Sequence, residues 1–224
     1  MNSHPLLPHP LGILMPWHSA AAALASAMLG LAAPACFAQD LTDGSAPEHA
    51  AGPRLLKSTA QHTIPAVQLV RDDGKRVALP DEMNDGRPVV LNFIFTSCSS
   101  VCPLMSQIFE QFAEKLGSDR DKVHLMSISI DPEQDTPARL REYARKFHAG
   151  PEWQHYTGTA QASLAAQRAF GVDRGDKMSH PAVTLLRAAP GLPWLRLDGF
   201  ITPEQLLTQY RLVLQERAQE VATR

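Results

Sequence analysis

Pro88-Val89-Val90-Leu91-Asn92-Phe93-Ile94-Phe95-Thr96-Ser97-Cys98-Ser99-Ser100-Val101-Cys102-Pro103 is the stretch on which the reading of this chain turns. Its first half, Pro88 to Phe95, is a nearly continuous apolar run of strand length, the pattern of a strand covered on both faces. Two cysteines follow at once. Pro103 suits the first position of a helix, and Ile108, Phe109, Phe112 and Leu116 recur at helical spacing until Gly117 ends the pattern. The thiols are therefore expected between a buried strand and the start of a helix, where α/β sheets put their functional sites. Backbone N–H groups and the helix dipole favour thiolates there. At i and i+4 both sulfurs turn to one side, so the pair can share a metal ion or close a disulfide, and spacing alone does not choose between them.

Working outward, Thr63 to Val70 alternates apolar and polar residues, Asp72-Asp73-Gly74-Lys75 supplies turn chemistry, and Arg76 to Leu79 resumes the alternation, which predicts a hairpin ahead of the main fold. Val123 to Ile130 reads as a second buried strand. Thr136-Pro137 opens a helix carrying Leu140, Tyr143, Ala144 and Phe147, and a further short helix is expected over Gln161 to Phe170. Strands over Ala182–Leu186 and Trp194–Leu197, joined through Pro190-Gly191, and a last helix from Pro203 to about Arg217 complete the pattern. Alternating elements followed by a strand pair and a terminal helix give the α/β class, and their order resembles a thioredoxin-like fold with an N-terminal hairpin extension and an inserted helix.

The 224 residues carry a net charge of −2 with no basic stripe, which argues against nucleic-acid binding. The first charged residue is Asp40, and the 16-residue run Ala20–Ala35 is rich in Ala and Leu and followed by Cys36-Phe37-Ala38. Residues 1–38 thus read as a secretory signal peptide or, if uncleaved, a membrane anchor, although the run falls short of the roughly 20 apolar residues of a full span. Residues 39–61, with Gly44, Ser45, Pro47, Gly52 and Pro53, read as a flexible tether, and 62–224 as one domain. Cleavage near Ala38 leaves Cys98 and Cys102 as the remaining cysteines, in an exported and oxidising setting where reactive or metal-binding thiols are a better reading than a one-turn staple.

His180, standing just before a predicted strand, is the natural third member of the site. Two thiolates and an imidazole make a soft set suited to Cu(I), and able to hold Cu(II) with one further weak ligand. Structural zinc prefers a fourth protein ligand.

Four stretches of the chain, from about Thr63 to Gln215, resemble the SCO/SenC family of copper chaperones for cytochrome oxidase assembly. They are Phe93 to Pro103, Ser129-Ile130-Asp131-Pro132-Glu133-Gln134-Asp135-Thr136-Pro137, Tyr156-Thr157-Gly158-Thr159, and His180 before its strand. The resemblance implies copper ligation by Cys98, Cys102 and His180 and delivery of copper to the binuclear centre of a respiratory oxidase subunit. A thiol reductant or an upstream copper donor is a further implied partner. The leader read over residues 1–38 places the protein in the periplasm or, if retained, tethered to the outer face of the inner membrane. Ser179 stands where the family often has Asp. The alternative is a thiol-disulfide oxidoreductase, for which Cys98 and Cys102 suffice and His180 is dispensable.

Neighbouring residues have plainer readings. Thr136 caps a helix, Pro137 takes its first turn and Asp135 complements its dipole, while Glu133 is expected in solvent. Asp131 is kept as a residue supporting the ligands and Met178 as an auxiliary thioether, with Met105 in the packing. His124, His148 and His155 are assigned ordinary structural roles.

Overall fold

The computed structural model describes residues 55–223. In chain order the elements are β1 (Leu56–Ala60), β2 (Gln68–Arg71), β3 (Arg76–Ala78), α1 (Leu79–Met83), β4 (Val89–Ile94), α2 (Val101–Leu116), β5 (His124–Ser129), α3 (Pro137–Lys146), β6 (Trp153–Gly158), α4 (Ala160–Ala169), β7 (Val183–Arg187), β8 (Trp194–Asp198) and α5 (Pro203–Ala222). Short 3-10 segments cover Gly117–Lys122 and Lys177–Ser179. The strands form one sheet in the order β1-β8-β7-β4-β5-β6-β2-β3. β4, β5 and β6 run parallel, joined by helices; β7 lies antiparallel beside β4, and β8 lies antiparallel beside β7. This is the thioredoxin-like arrangement, with β4 at its centre.

Every residue of β4 is buried, because both faces are covered. Val89, Leu91 and Phe93 point into one core with Met83 of α1 and Ala162 and Ala166 of α4. Val90 and Ile94 point into the other, with Phe109 and Phe112 of α2, Leu140 and Tyr143 of α3 and Leu206 and Tyr210 of α5. Each fully buried Leu, Ile or Phe contributes roughly 1.5–3 kcal/mol by leaving water, so the two-sided packing fixes where β4 ends. Gly117 stops α2 at φ 56°, a left-handed conformation that glycine adopts without a Cβ penalty.

Several expectations change. The leader expected over 1–38, with Cys36, lies outside the described residues, as does most of the tether expected over 39–61. The last part of that tether is strand: Leu56–Ala60 pairs antiparallel with β8 at the sheet edge. The N-terminal hairpin forms as expected from β2 and β3, and through the pairing of β2 with β6 it extends the main sheet. β6 itself was not expected. Pro103 occupies the third position of α2, after Val101 and Cys102, rather than the first. No helix among the described residues is long and apolar enough to cross a membrane.

Candidate metal centre

The cysteines sit where β4 gives way to α2. Ser100, the residue ahead of the helix, makes no side-chain cap bond, and the sulfur of Cys98 takes its place by accepting the Cys102 N–H at 3.3 Å. One orphan amide of the helix start is thereby satisfied by the thiol itself. The Cys98 N–H donates to the Phe95 carbonyl at 3.1 Å, closing the turn. Both thiols are free.

Their environments differ sharply. Cys98 is half-buried; burial pushes its thiol up, but N–H donors from Cys102 and Ser100 outweigh this and hold it below the ordinary thiol value. Cys102 is 1% exposed, and burial, with Cys98 beside it, pushes its thiol far up. The pair is one accessible thiolate former and one buried thiol.

The turn is anchored from below by Asp135, which does not serve α3 from outside as expected. Its fully buried carboxylate accepts from the Thr96 N–H at 3.2 Å, the Thr96 hydroxyl at 2.5 Å and the Ser129 hydroxyl at 2.6 Å. The cap on α3 is made by the Thr136 hydroxyl, which accepts from Arg139 N–H, with Pro137 in the first turn, both as predicted. Asp135 thus ties the residue two before Cys98 to the end of β5.

His180 lies across the same end of β4. Its Nε2–H donates to the Phe93 carbonyl at 2.9 Å, which leaves Nδ1 as the lone-pair nitrogen. Nδ1 is buried and has no hydrogen-bond partner among the described residues. Burial lowers the pKa of this ring below the ordinary histidine value, partly opposed by the Phe93 bond, so the imidazole is neutral near pH 7. A neutral imidazole oriented through one nitrogen, with the other free, is the usual condition of a metal-binding histidine.

Lys177 holds the His180 loop down. Its ammonium pairs with Asp131 Oδ2 at 2.6 Å and lies 5.7 Å from the centre of the Phe95 ring. Asp131 therefore reaches the site through Lys177, a contact that links residues far apart in the chain. A cavity of about 450 Å³ opens beside His180, bordered by Asp131, Glu133, Ser163, Arg174 and Lys177, with no cysteine on its wall.

The structure brings Cys98 and Cys102 together. Among the described residues, however, no three His, Cys, Asp or Glu side chains converge closely enough to hold a metal ion, so His180 stands at the same strand end without closing on the thiols. Met178 is exposed and Met105 is packed in the core. Glu133 is exposed, as expected. The other histidines are structural. His124 Nε2 lies 2.9 Å from the Tyr156 hydroxyl, His148 Nδ1 lies 2.6 Å from Glu110 beyond the end of α3, and His155 is buried among aromatic rings. Lys177 and the anchoring role of Asp135 escaped the sequence reading; a lysine three residues before a candidate ligand was the available hint for the first.

Comparison with known proteins identifies the family of the chain. The profile of the SCO1/SenC family matches residues 57–214. A curated relative, the SCO1 protein homolog of Bacillus subtilis, is 29% identical over 116 residues, covering 51% of this chain and 59% of that protein. The chain thus spans less than two thirds of that relative's length. Among solved structures, Bradyrhizobium japonicum ScoI with copper bound superposes with a TM-score of 0.53 at 26% identity, covering 66% of this chain and 96% of the other. Arabidopsis thaliana ScoI with copper bound gives 0.57 at 26% identity, covering 70% and 99%. The profile match runs through both cores and through the loops that carry Cys98, Cys102 and His180, and the chain belongs to the SCO1/SenC family.

Proposed function

We propose that this protein binds one copper ion through Cys98, Cys102 and His180, outside the cytoplasm, and delivers it to the copper-accepting subunit of a respiratory cytochrome oxidase, at its binuclear centre. The observation that carries the reading is the buried, unpartnered Nδ1 of a neutral His180 at the strand end that also presents the thiol pair. Two sulfurs and an imidazole nitrogen are soft and borderline donors, a set that matches Cu(I) and accommodates Cu(II). Copper-bound relatives of the same fold from Bradyrhizobium japonicum and Arabidopsis thaliana support the choice of metal.

Each residue has a part. Cys98, the more accessible thiol and the one held below the ordinary thiol value, is the first of the three resident ligands to bind the ion. Cys102 follows, giving up its proton as the bond to the metal replaces the cost of a buried charge. His180 completes the set when its loop, which the Lys177–Asp131 pair ties to the segment after β5, closes on the thiols. Two thiolates satisfy Cu(I) at low coordination, whereas Cu(II) prefers more ligands, so His180 matters most to the oxidised complex.

The unequal thiols also favour a second reading, dithiol-disulfide exchange on an exported or oxidase protein, with Cys98 attacking and Cys102 resolving. One set of variants separates the two. In competition with a chelator, Cys98→Ser and Cys102→Ser should each greatly weaken Cu(I) binding and abolish the sulfur-to-Cu(II) charge-transfer band, while His180→Ala keeps Cu(I) but loses a stable Cu(II) spectrum. Reduced, metal-free wild type that takes up no copper yet readily reduces a protein disulfide would overturn the copper reading in favour of exchange.

A further inference from the structure

Met178 is 70% exposed, which removes the usual reason for a methionine in a folded domain. Its backbone is nevertheless held in place. Asp176 Oδ1 accepts the Met178 N–H at 3.0 Å, and the Ser179 N–H donates to the Asp176 carbonyl at 3.1 Å. The His180 N–H donates to the Lys177 carbonyl at 3.2 Å. The 3-10 turn Lys177–Ser179 thus presents a thioether to solvent two residues ahead of the imidazole with the unpartnered nitrogen. Lys177, packed over Phe95, fastens that turn to the residue whose carbonyl receives the Cys98 N–H.

We infer that Met178 is the capture ligand for incoming Cu(I), binding it transiently at the surface and passing it inward to Cys98, an inference that rests on the copper reading above. A thioether is soft, neutral and carries no proton, so it binds the ion without prior deprotonation, and it binds weakly enough to release it to a thiolate. In the first step the Met178 Sδ bond to Cu(I) forms as one bond to the donor breaks. In the second, the Cys98 Sγ bond forms as the Sδ bond breaks. The ion stays Cu(I) throughout, and the proton of any thiol that joins leaves to solvent. A ligand used only on the way in sets the rate of loading, not the final affinity.

The test mixes the reduced full chain with the coloured Cu(I)–bicinchoninate complex in a stopped-flow instrument and follows loss of colour. Met178→Leu, which keeps the apolar bulk, should load about fivefold more slowly or worse, while the equilibrium share of copper stays within about twofold of wild type. In a Cys98→Ser/Cys102→Ser chain labelled at the methionine methyls, the Met178 resonance should shift on adding Cu(I). Equal loading rates for wild type and Met178→Leu overturn the inference, as does a methyl resonance that stays in place. A Leu variant that loses affinity rather than rate overturns it as well, by making Met178 a resident ligand. Wild type that takes up no copper at all defeats the copper reading instead, and the two failures are thereby told apart.

Discussion

Asp135 is the residue on which the geometry of the thiol pair rests. Its carboxylate accepts from three donors, two on Thr96 and one on Ser129, and no water reaches it. Three donors converging on one buried group is an arrangement that only a carboxylate satisfies, because an amide turns a donor of its own against one of them. Asp135→Asn is therefore expected to lower stability by about 2 kcal/mol, since hydrogen bonds to charged groups are worth more than neutral ones and the orphaned donor stays buried. For a domain of this size that corresponds to roughly 5 °C in Tm. Urea unfolding of the reduced, metal-free protein measures it, and a change below about 0.5 kcal/mol would remove Asp135 from this role. The same variant frees Thr96, so alkylation of the buried Cys102 should quicken.

Among the elements, α2 and α3 meet through one buried polar contact, the Ser106 and Tyr143 hydroxyls at 2.8 Å, one turn along α2 from Cys102. Burial pushes the Tyr143 phenol well above its ordinary value, so it remains a neutral partner at any working pH. A double-mutant cycle of Ser106→Ala and Tyr143→Phe should give a coupling of about 0.5–1.5 kcal/mol, the size of a buried neutral hydrogen bond. Additive single effects would mean that the helices are held by apolar packing alone. Elements such as β4 and α2 were legible because burial on both faces, or on one stripe, writes itself into local pattern. β6 was not: His155 and Thr157 face the interior, so no apolar rhythm marks Trp153–Gly158. β1 is exposed at every position, and its strand form comes from pairing with β8, a distant partner that local sequence does not announce. The site divides in the same way. The cysteine motif is local and could be read directly, and His180 could be placed by its position before a strand. Asp135 looked like a helix-end charge because the turn that folds its carboxylate back beneath Thr96 is set by tertiary packing. The Lys177–Asp131 pair joins two loops that only the fold brings together.

Over the whole molecule, the interior makes stability depend on pH through buried imidazoles. His155 is fully buried beside Trp153 and Tyr143, and neither ring nitrogen has a hydrogen-bond partner among the described residues. Burial pushes its pKa down to about 3, whereas in the unfolded chain it titrates near 6.5. The folded pKa is the depressed one, so between these values the unfolded chain binds a proton that the native protein refuses. The native state is at full advantage above about pH 6.5 and loses about 1.4 kcal/mol per pH unit from this group as the pH falls toward 3. His124, lowered chiefly by burial and further by the Arg87 charge, adds in the same sense over its own narrower range. His155→Phe keeps a flat ring among the aromatic neighbours while removing both the titration and two unpaired buried nitrogens. The variant should match or exceed wild-type stability at pH 7.5 and gain on it progressively at pH 6, 5.5 and 5. Urea midpoints at those values measure the difference. A gap between the two proteins that stays constant with pH would show that His155 binds protons equally well folded and unfolded, which is incompatible with a ring sealed from water between Trp153 and Tyr143.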